Sequence, residues 1–134
     1  MSAERDYSHR TRVQKLGVKP GMRVAVIGVD DEEFKAELAA VIPALARGRA
    51  GDLDLVFLAA DSLAQLDQLA ALAKRVVPAG AIWVVSRKGK AAAIRDVDVI
   101  AAAKGAGLVD NKVVGFSATH TSLRLCIPLA SRKR

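Results

Sequence analysis

Three short runs of mostly apolar residues limit the folds that this chain can adopt. They occupy residues 22–29 (MRVAVIGV), 53–60 (LDLVFLAA) and 81–86 (AIWVVS). Strands without a regular polar face are typical of a parallel sheet that is covered on both sides. A segment with helical spacing of apolar residues follows each run, so the sequence predicts an α/β fold with right-handed crossovers.

Capping residues predict where the first two helices begin. Asp30 or Asp31 can cap a helix after the first run, because a short polar side chain satisfies the free N–H groups of the first turn. Pro43 is expected to kink that helix or to start a second short one, since proline cannot donate the next main-chain hydrogen bond. Asp61 or Ser62 can cap the helix that follows the second run.

The ends of the later helices are also predicted from turn signals. The second helix should continue through Val77, and residues 78–80 (PAG) should end it. The third helix is expected over residues 96–104, with Asp96 as its cap and with glycines at 105 and 107 as its stop. Three apolar residues share one face of this third helix: Val97, Ile100 and Ala101.

The last two predicted strands, residues 108–117 and 121–127, are separated by only three residues. That gap is too short for a crossover, so the two strands must form an antiparallel hairpin. The sequence therefore predicts a three-layer α/β sandwich of about five strands, mostly parallel, with a C-terminal hairpin. We expect an N-terminal arm over 1–20, the α/β domain over 21–128 and a basic tail over 129–134.

Two resemblances add to this prediction. Residues 78–85 (PAGAIWVV) resemble the Pro-Gly-Gly segment and following apolar strand of class I S-adenosylmethionine-dependent methyltransferases. Residues 6–127 resemble a family of small bacterial proteins, most specifically over 6–11 (DYSHRT) and 15–24 (KLGVKPGMRV), and again over 106–113 (AGLVDNKV). The resemblances imply a Rossmann-like, methyltransferase-like fold, and the bacterial family implies no particular activity.

The chain after the first run departs from the methyltransferase pattern, which has a Gly-rich loop there and an acidic residue after the second strand. Here Gly28 is the only glycine, and four acidic residues follow it at 30–33. Residues 31–52 leave no room for two further strand–helix units, so we expect a truncated sheet with its first strand at an edge. Ligands of open sheets bind beyond the carboxyl ends of the strands, which makes Gly28, Asp30 and Asp61 the candidate cofactor-binding residues.

The net charge of +7 is unevenly distributed: residues 30–67 carry −6, whereas residues 68–134 carry +9. Two basic runs contain the candidate anion or nucleic-acid contacts: Arg87, Lys88 and Lys90 in one, and Arg132, Lys133 and Arg134 in the other. They could contact phosphates or an acidic protein, or they could be solvated surface. Aromatic residues make up only 4% of the chain, so any nucleic-acid binding should be electrostatic.

Neither a metal site nor a nucleophilic site is predicted. The only histidines, His9 and His120, and the only cysteine, Cys126, have no recognised ligand spacing. His120 and Cys126 lie six residues apart, roughly 20 Å along a strand, which is too far for a nucleophile and its base. A single cysteine excludes an internal disulfide, and the charged N-terminal residues and the lack of a long apolar run predict a cytoplasmic protein that does not enter membranes.

The missing Gly-rich loop favours a non-catalytic, methyltransferase-like module for binding or assembly. On this interpretation we assign no catalytic residue and expect no bound cofactor, S-adenosylmethionine included. One alternative is an enzyme that uses S-adenosylmethionine or a nucleotide. Another alternative is weak, non-specific nucleic-acid binding through the basic loop and tail. An open sheet edge also predicts a homodimer.

Overall fold

A computed structural model describes residues 11–47 and 50–131 of the chain. The order of the elements is α1 (Arg12–Lys15), β1 (Val24–Ile27), α2 (Glu32–Ala39), β2 (Leu53–Ala59), α3 (Leu63–Leu66), α4 (Leu69–Ala73), β3 (Val76–Arg87), α5 (Asp96–Gly105), β4 (Val109–Gly115) and β5 (His120–Cys126). Two 3₁₀ turns, Gly89–Ala91 and Leu129–Ser131, follow β3 and β5. The alternation of strands and helices confirms the predicted fold class.

The five strands form one sheet in the order β1-β2-β3-β5-β4. The strands β1, β2 and β3 are parallel, whereas β5 is antiparallel to both β3 and β4. The predicted hairpin and the predicted edge position of β1 are therefore confirmed. Because β5 runs against β3, its first residue, His120, pairs with the last residue of β3, Arg87. The hairpin loop thus lies at the carboxyl ends of the parallel strands.

Helices cover both faces of the sheet, and this explains why its central strands have no polar face. Along β3, Ile82 and Val84 belong to the core beneath α3, α4 and α5, while Trp83 belongs to the core beneath α1 and α2. Trp83 is fully buried. Residues from both cores alternate along β3 because successive side chains of a strand point to opposite faces.

The segment predicted as an N-terminal arm includes residues that the structure places in the core. Thr11 caps α1 by accepting a hydrogen bond of 3.2 Å from the N–H of Gln14. Val13, Leu16 and Val18 are buried in the same core as Trp83. Residues 1–10 of the predicted arm lie outside the described residues.

The boundary between the second helix and the third strand is not where the sequence predicted it. The helical segment is split into α3 and α4, and β3 begins at Val76, so residues 77–80 are strand and not helix. Pro78 is tolerated there because the β2–β3 register is irregular between the pairs Leu53–Val76 and Leu55–Ala81. Gly80 is needed in this stretch, since a Cβ atom would lie 2.9 Å from the main-chain oxygen of Asp54.

The first helix predicted from the sequence is α2. Its cap is Asp31, one of the two predicted alternatives, and the Asp31 carboxylate accepts a hydrogen bond of 2.9 Å from the N–H of Phe34. The helix ends at Ala39, before Pro43, so the predicted kink does not occur, and residues 40–47 do not form a second helix. A residue that precedes proline is restricted in its helical conformations, which favours ending the helix over bending it.

Two predictions for the third helix, α5, are wrong. Asp96 is not its cap: the N-cap position is Arg95, whose N–H donates a hydrogen bond of 2.8 Å to the carboxylate of Asp98. Val97 is 66% exposed, and the buried residues are Val99 and Ala103. The helix is rich in alanine, so its apolar residues do not mark a single face, and close packing of the small side chains decides its rotation. None of the described helices has the length and apolar character that a membrane crossing requires.

Candidate functional site

A cavity of about 300 Å³ opens at the carboxyl ends of β1, β2 and β3. We call it the acidic cavity; it is formed by the loops after these strands and by the β4–β5 hairpin loop. Its lining residues are Gly28, Val29, Asp30, Asp31, Ala59, Asp61, Val85, Arg87, Phe116, Thr119 and His120. The structure thus brings together Gly28, Asp30 and Asp61, the three candidate cofactor-binding residues. It also adds Arg87 from the first basic run.

Gly28 follows β1 directly and has φ of +77°, in the left-handed region that favours glycine. A Cβ atom at this position would lie 3.4 Å from the Cβ of Ala59 at the end of β2. The turn after β1 therefore approaches β2 closely. A bare main chain at the mouth of a cavity leaves room for a ligand to approach the backbone.

The two neighbouring carboxylates, Asp30 and Asp31, have different environments. The N–H of Phe34 lowers the pKa of the Asp31 carboxyl, burial opposes the lowering, and the positive charge of Arg12 adds to it. The Asp31 carboxylate is therefore already engaged in hydrogen bonds that stabilise the fold. The Asp30 side chain is 90% exposed, and its one described partner is Lys35 at 3.5 Å. Asp30 is consequently the carboxylate of this loop that a ligand can reach.

Asp61 is held in place by the strand beside it. Its Oδ1 atom accepts a hydrogen bond of 2.8 Å from the main-chain N–H of Arg87. Its own N–H donates to Oε1 of Gln65 at 2.7 Å. Asp61 does not cap α3, because Ser62 takes that position and accepts from the N–H of Gln65. These contacts fix the Asp61 carboxylate at the junction of β2 and β3.

Arg12 does not line the acidic cavity but contacts two residues that do, Asp31 and Phe116. Its Nε and Nη2 atoms donate to the two carboxylate oxygens of Glu37 at 3.0 and 2.9 Å, and its Nη1 atom donates to Asp31 at 3.1 Å and to the main-chain oxygen of Phe116 at 2.8 Å. The guanidinium also lies 4.9 Å from the centre of the Phe116 ring. The hydrogen bond to Glu37 is the largest cause that raises the pKa of Arg12. Nothing in the sequence spacing connects Arg12 with these partners.

His120 is a further site residue that the sequence did not single out. Its Nδ1 atom lies 2.7 Å from Oγ1 of Thr119, and its N–H donates to Oγ of Ser117 at 3.1 Å. Its predicted separation from Cys126 is confirmed, because Cys126 pairs with Ala81 at the other end of β5. Cys126 itself is buried and unpaired. The part of the chain that the structure describes contains no cluster of His, Cys, Asp and Glu side chains suited to a metal ion.

The structure describes only the first of the two basic runs. Arg87 lines the acidic cavity, Lys88 lies just beyond it, and Lys90 is exposed in the 3₁₀ turn that follows β3. Arg132, Lys133 and Arg134 lie outside the described residues. The described chain ends at Ser131, a few residues after Cys126, and Cys126 is at the end of β5 far from Arg87.

Comparison with solved structures adds to the geometry. The chain is similar to the pyocyanin biosynthetic protein PhzM, with a TM-score of 0.66 and 10% identity over 87% of this chain and 53% of that one. It is similar to an S-adenosylmethionine-dependent methyltransferase from Aquifex aeolicus, with a TM-score of 0.61 and 12% identity over 87% of each chain. A third similar structure is Aeropyrum pernix fibrillarin with natively bound S-adenosyl-L-methionine, with a TM-score of 0.52 and 12% identity over 80% of this chain and 67% of that one.

This chain has a truncated methyltransferase fold. At these identities the likeness shows the fold alone, and the chain spans about half the length of PhzM. No family model matches the sequence, and a search of curated proteins finds no match. The prediction of a non-catalytic binding or assembly module is contradicted, because the solved structures that share this fold include S-adenosylmethionine-dependent methyltransferases and a fibrillarin with this cofactor natively bound.

The acidic cavity fits S-adenosylmethionine in two respects. The backbone at Gly28 is open to a ligand, and the carboxylates of Asp30 and Asp61 favour a cationic group such as a sulfonium. Its volume of about 300 Å³ is at the lower end of the range of small-ligand sites, roughly 300–1,000 Å³. Although the chain has no Gly-rich loop here, the left-handed Gly28 leaves the main chain after β1 open to a ligand.

Proposed function

We propose that this protein binds S-adenosylmethionine in the acidic cavity and acts as a methyltransferase. The observation that carries the proposal is the convergence of Gly28, Asp30 and Asp61 at the carboxyl ends of β1 and β2, where ligands of open α/β sheets bind. Fibrillarin, which shares the fold, was solved with natively bound S-adenosyl-L-methionine, and this supports the choice of cofactor. We further propose that the chain belongs to the family of small bacterial proteins that it resembles.

Each residue of the acidic cavity would make a different contact with S-adenosylmethionine. Gly28 would let the cofactor approach the main chain after β1, and the exposed carboxylate of Asp30 would face its positive charge. Asp61 would present a second carboxylate whose direction is fixed by the N–H of Arg87. When bound, S-adenosylmethionine supplies an electrophilic methyl group on a cationic sulfur. Asp31, in contrast, serves the fold through Phe34 and Arg12.

Isothermal titration calorimetry with S-adenosylmethionine and S-adenosylhomocysteine tests this proposal. Both ligands should bind, and the first more tightly, because only the sulfonium carries the charge that the carboxylates favour. Asp61→Asn keeps a hydrogen-bond acceptor for Arg87 but removes the charge, so it should weaken binding. Asp67→Asn is the matched control, since Asp67 is exposed and outside the cavity, and its affinity should not change.

The result can be checked independently by thermal unfolding. A ligand at 100 times its dissociation constant stabilises by about 2.7 kcal/mol, which for a chain of this size is a shift of several degrees. A wild-type protein that shows neither heat of binding nor a thermal shift with either ligand would exclude the cofactor. Equal weakening by Asp61→Asn and Asp67→Asn would exclude the acidic cavity as its site.

A second candidate function is weak, electrostatic binding of nucleic acid. It is favoured by the exposure of Arg87, Lys88 and Lys90, which lie together after β3. If these three cations contact phosphates, the logarithm of affinity should fall with the logarithm of salt concentration with a slope of roughly −2 to −3. A chain shortened to end at Ser131 should show a smaller slope only if the tail also contributes. Affinity that does not depend on salt would contradict this candidate.

A further inference from the structure

Arg87 is shared by three adjoining depressions at the end of the sheet. The first is the acidic cavity, and the second, of about 340 Å³, extends over the hairpin loop and the basic loop. The third, of about 310 Å³, lies between the basic loop and the start of α5. A groove therefore runs from the end of β1 across the end of β3, with Arg87 at its centre.

The charge changes sign along this groove. The acidic cavity contains three carboxylates, whereas the second depression contains none: its lining is Arg87, Lys88, Ala91, Ala118, Thr119 and His120. We call this second depression the basic cavity. In the third depression Arg87 and Lys88 are joined by Arg95, and the only carboxylate is that of Asp96. The half of the groove beyond Arg87 thus favours an anion as clearly as the other half favours a cation.

The cations of the basic cavity are not used by the fold. Within residues 11–47 and 50–131, no hydrogen bond or ion pair engages the side chain of Arg87 or Lys88. Like charges that line one cavity repel each other, so an anion bound in this cavity would relieve an unfavourable arrangement. A guanidinium is well suited to this, because its planar set of donors matches a carboxylate or a phosphate.

The uncharged groups of the basic cavity are held in fixed positions. The main-chain N–H of Lys88 donates to the oxygen of Thr119 at 3.0 Å and joins the basic loop to the hairpin loop. Oγ of Ser117 accepts from the N–H groups of Thr119 and His120 at 3.3 and 3.1 Å. A rigid frame of this kind reduces the ordering that a ligand must impose when it binds.

We propose that the basic cavity binds an oxyanion group, a carboxylate or a phosphate, of the methyl acceptor. The proposal rests on the proposed function, because it assigns the acidic cavity to the cofactor and the basic cavity to the methyl acceptor. Arg87 and Lys88 bind the oxyanion, Thr119 and His120 offer hydrogen bonds beside it, and the rest of the acceptor extends towards the acidic cavity. The acceptor is therefore an anionic molecule, either small or part of a nucleic acid.

Titration of the isotope-labelled protein, followed by main-chain amide resonances in NMR spectra, tests the proposal without the cofactor. The probes are inorganic phosphate, acetate and a short single-stranded RNA. Phosphate or acetate should shift the amides of Lys88, Gly89, Thr119 and His120 in a saturable way. A response to the small anions indicates a small acceptor, and a much tighter response to RNA at the same amides indicates a nucleic-acid acceptor.

The double variant Arg87→Gln/Lys88→Gln should weaken binding of every responding probe about tenfold or more. Lys104→Gln/Lys112→Gln removes the same charge from α5 and β4, outside the three depressions, and should change the affinity less than about threefold. Equal weakening by the two double variants, or shifts spread over all basic residues, would overturn the proposal. Because S-adenosylmethionine is absent from these titrations, the outcome is independent of whether the cofactor binds.

Discussion

The indole Nε1 of Trp83 donates a hydrogen bond of 3.0 Å to the main-chain oxygen of Leu16. Trp83 lies in the middle of β3, the central strand of the sheet, and Leu16 is the C-cap residue that directly follows α1. Both residues are buried, so water cannot replace this bond. The contact therefore fixes the N-terminal segment to the centre of the domain.

Trp83→Phe should lower the free energy of unfolding by about 2–4 kcal/mol, because it leaves a buried carbonyl without a donor and opens space in a packed core. Urea unfolding should be followed by far-ultraviolet circular dichroism, since Trp83 is the only tryptophan. Leu129→Ala changes a residue that is 78% exposed and should stay within about 0.5 kcal/mol of wild type. Equal stability of wild type and Trp83→Phe would contradict the proposed anchoring.

Arg12→Ala should lower the free energy of unfolding by about 2–3 kcal/mol. The substitution leaves Asp31, Glu37 and the oxygen of Phe116 without their common donor, in a partly buried environment. The matched control is Lys35→Ala, which removes a cation from exposed, solvent-screened ion pairs and should change stability far less than Arg12→Ala. Similar losses from both variants, measured by the same urea unfolding, would show that the Arg12 contacts add little.

The carboxylate of Asp31 predicts a dependence of stability on pH. Its pKa in the folded protein lies below the ordinary value of 3.8, so its contribution is complete well above that pH and is lost as the pH falls through the folded value. Asp31→Asn should therefore be less stable than wild type at neutral pH, and the difference should shrink below about pH 4. Asp30→Asn, one position away, removes an exposed carboxylate and should leave the stability at neutral pH close to that of wild type. A constant difference for Asp31→Asn at all pH values would contradict this.

Gly28→Ala should cost roughly 1–2 kcal/mol of stability, because a side chain in the left-handed region is strained even where space allows it. The comparison is Gly105→Ala at the end of α5, where an added Cβ meets no atom within 4 Å and the backbone is not left-handed. That variant should be as stable as wild type or slightly more stable. Thermal unfolding of both variants measures the difference. Equal midpoints would contradict the predicted strain of a side chain at position 28.

The sheet has two edges, and we propose that β4 is the one through which the protein forms a homodimer. The outer edge of β1 is partly covered, because the N–H of Ala46 donates to the oxygen of Val24 at 2.8 Å. On β4, Val113 is 55% exposed. Val113→Lys should convert a dimer to a monomer in light scattering, whereas Val97→Lys, on the exposed face of α5, should not. A monomeric wild-type protein would contradict the proposal.

The sequence predicted those parts of the structure that depend on local patterns. The buried strands follow from short, mostly apolar runs that lack a regular polar face. The meeting of Gly28, Asp30 and Asp61 follows from the rule that parallel strands end at one edge of a sheet. The rotation of α5 could not be predicted, since alanine is apolar but marks no face. The strand at residues 77–80 could not be predicted, because Pro78 normally indicates the end of a helix or a turn. Proline is tolerated in this strand only because the register with β2 is irregular.

The contacts of Arg12 could not be predicted because they join distant parts of the chain. Its partners lie 19, 25 and 104 residues away, and no spacing rule applies over such separations. The same is true of His120, whose place beside Arg87 depends on the pairing of β5 with β3. The basic character of the second cavity also becomes visible only when the hairpin loop and the basic loop are placed next to each other.

The bond between Arg12 and the oxygen of Phe116 has a consequence for how the protein is made. The two residues are separated by 104 positions, so the whole segment between them must be synthesised before they can meet. Contacts of such long range are closed late and slow the folding of a domain. The acidic cavity, which Phe116, Thr119 and His120 help to line, is therefore complete only after the β4–β5 hairpin has formed. Until that hairpin leaves the ribosome, the nascent chain lacks one wall of the cavity.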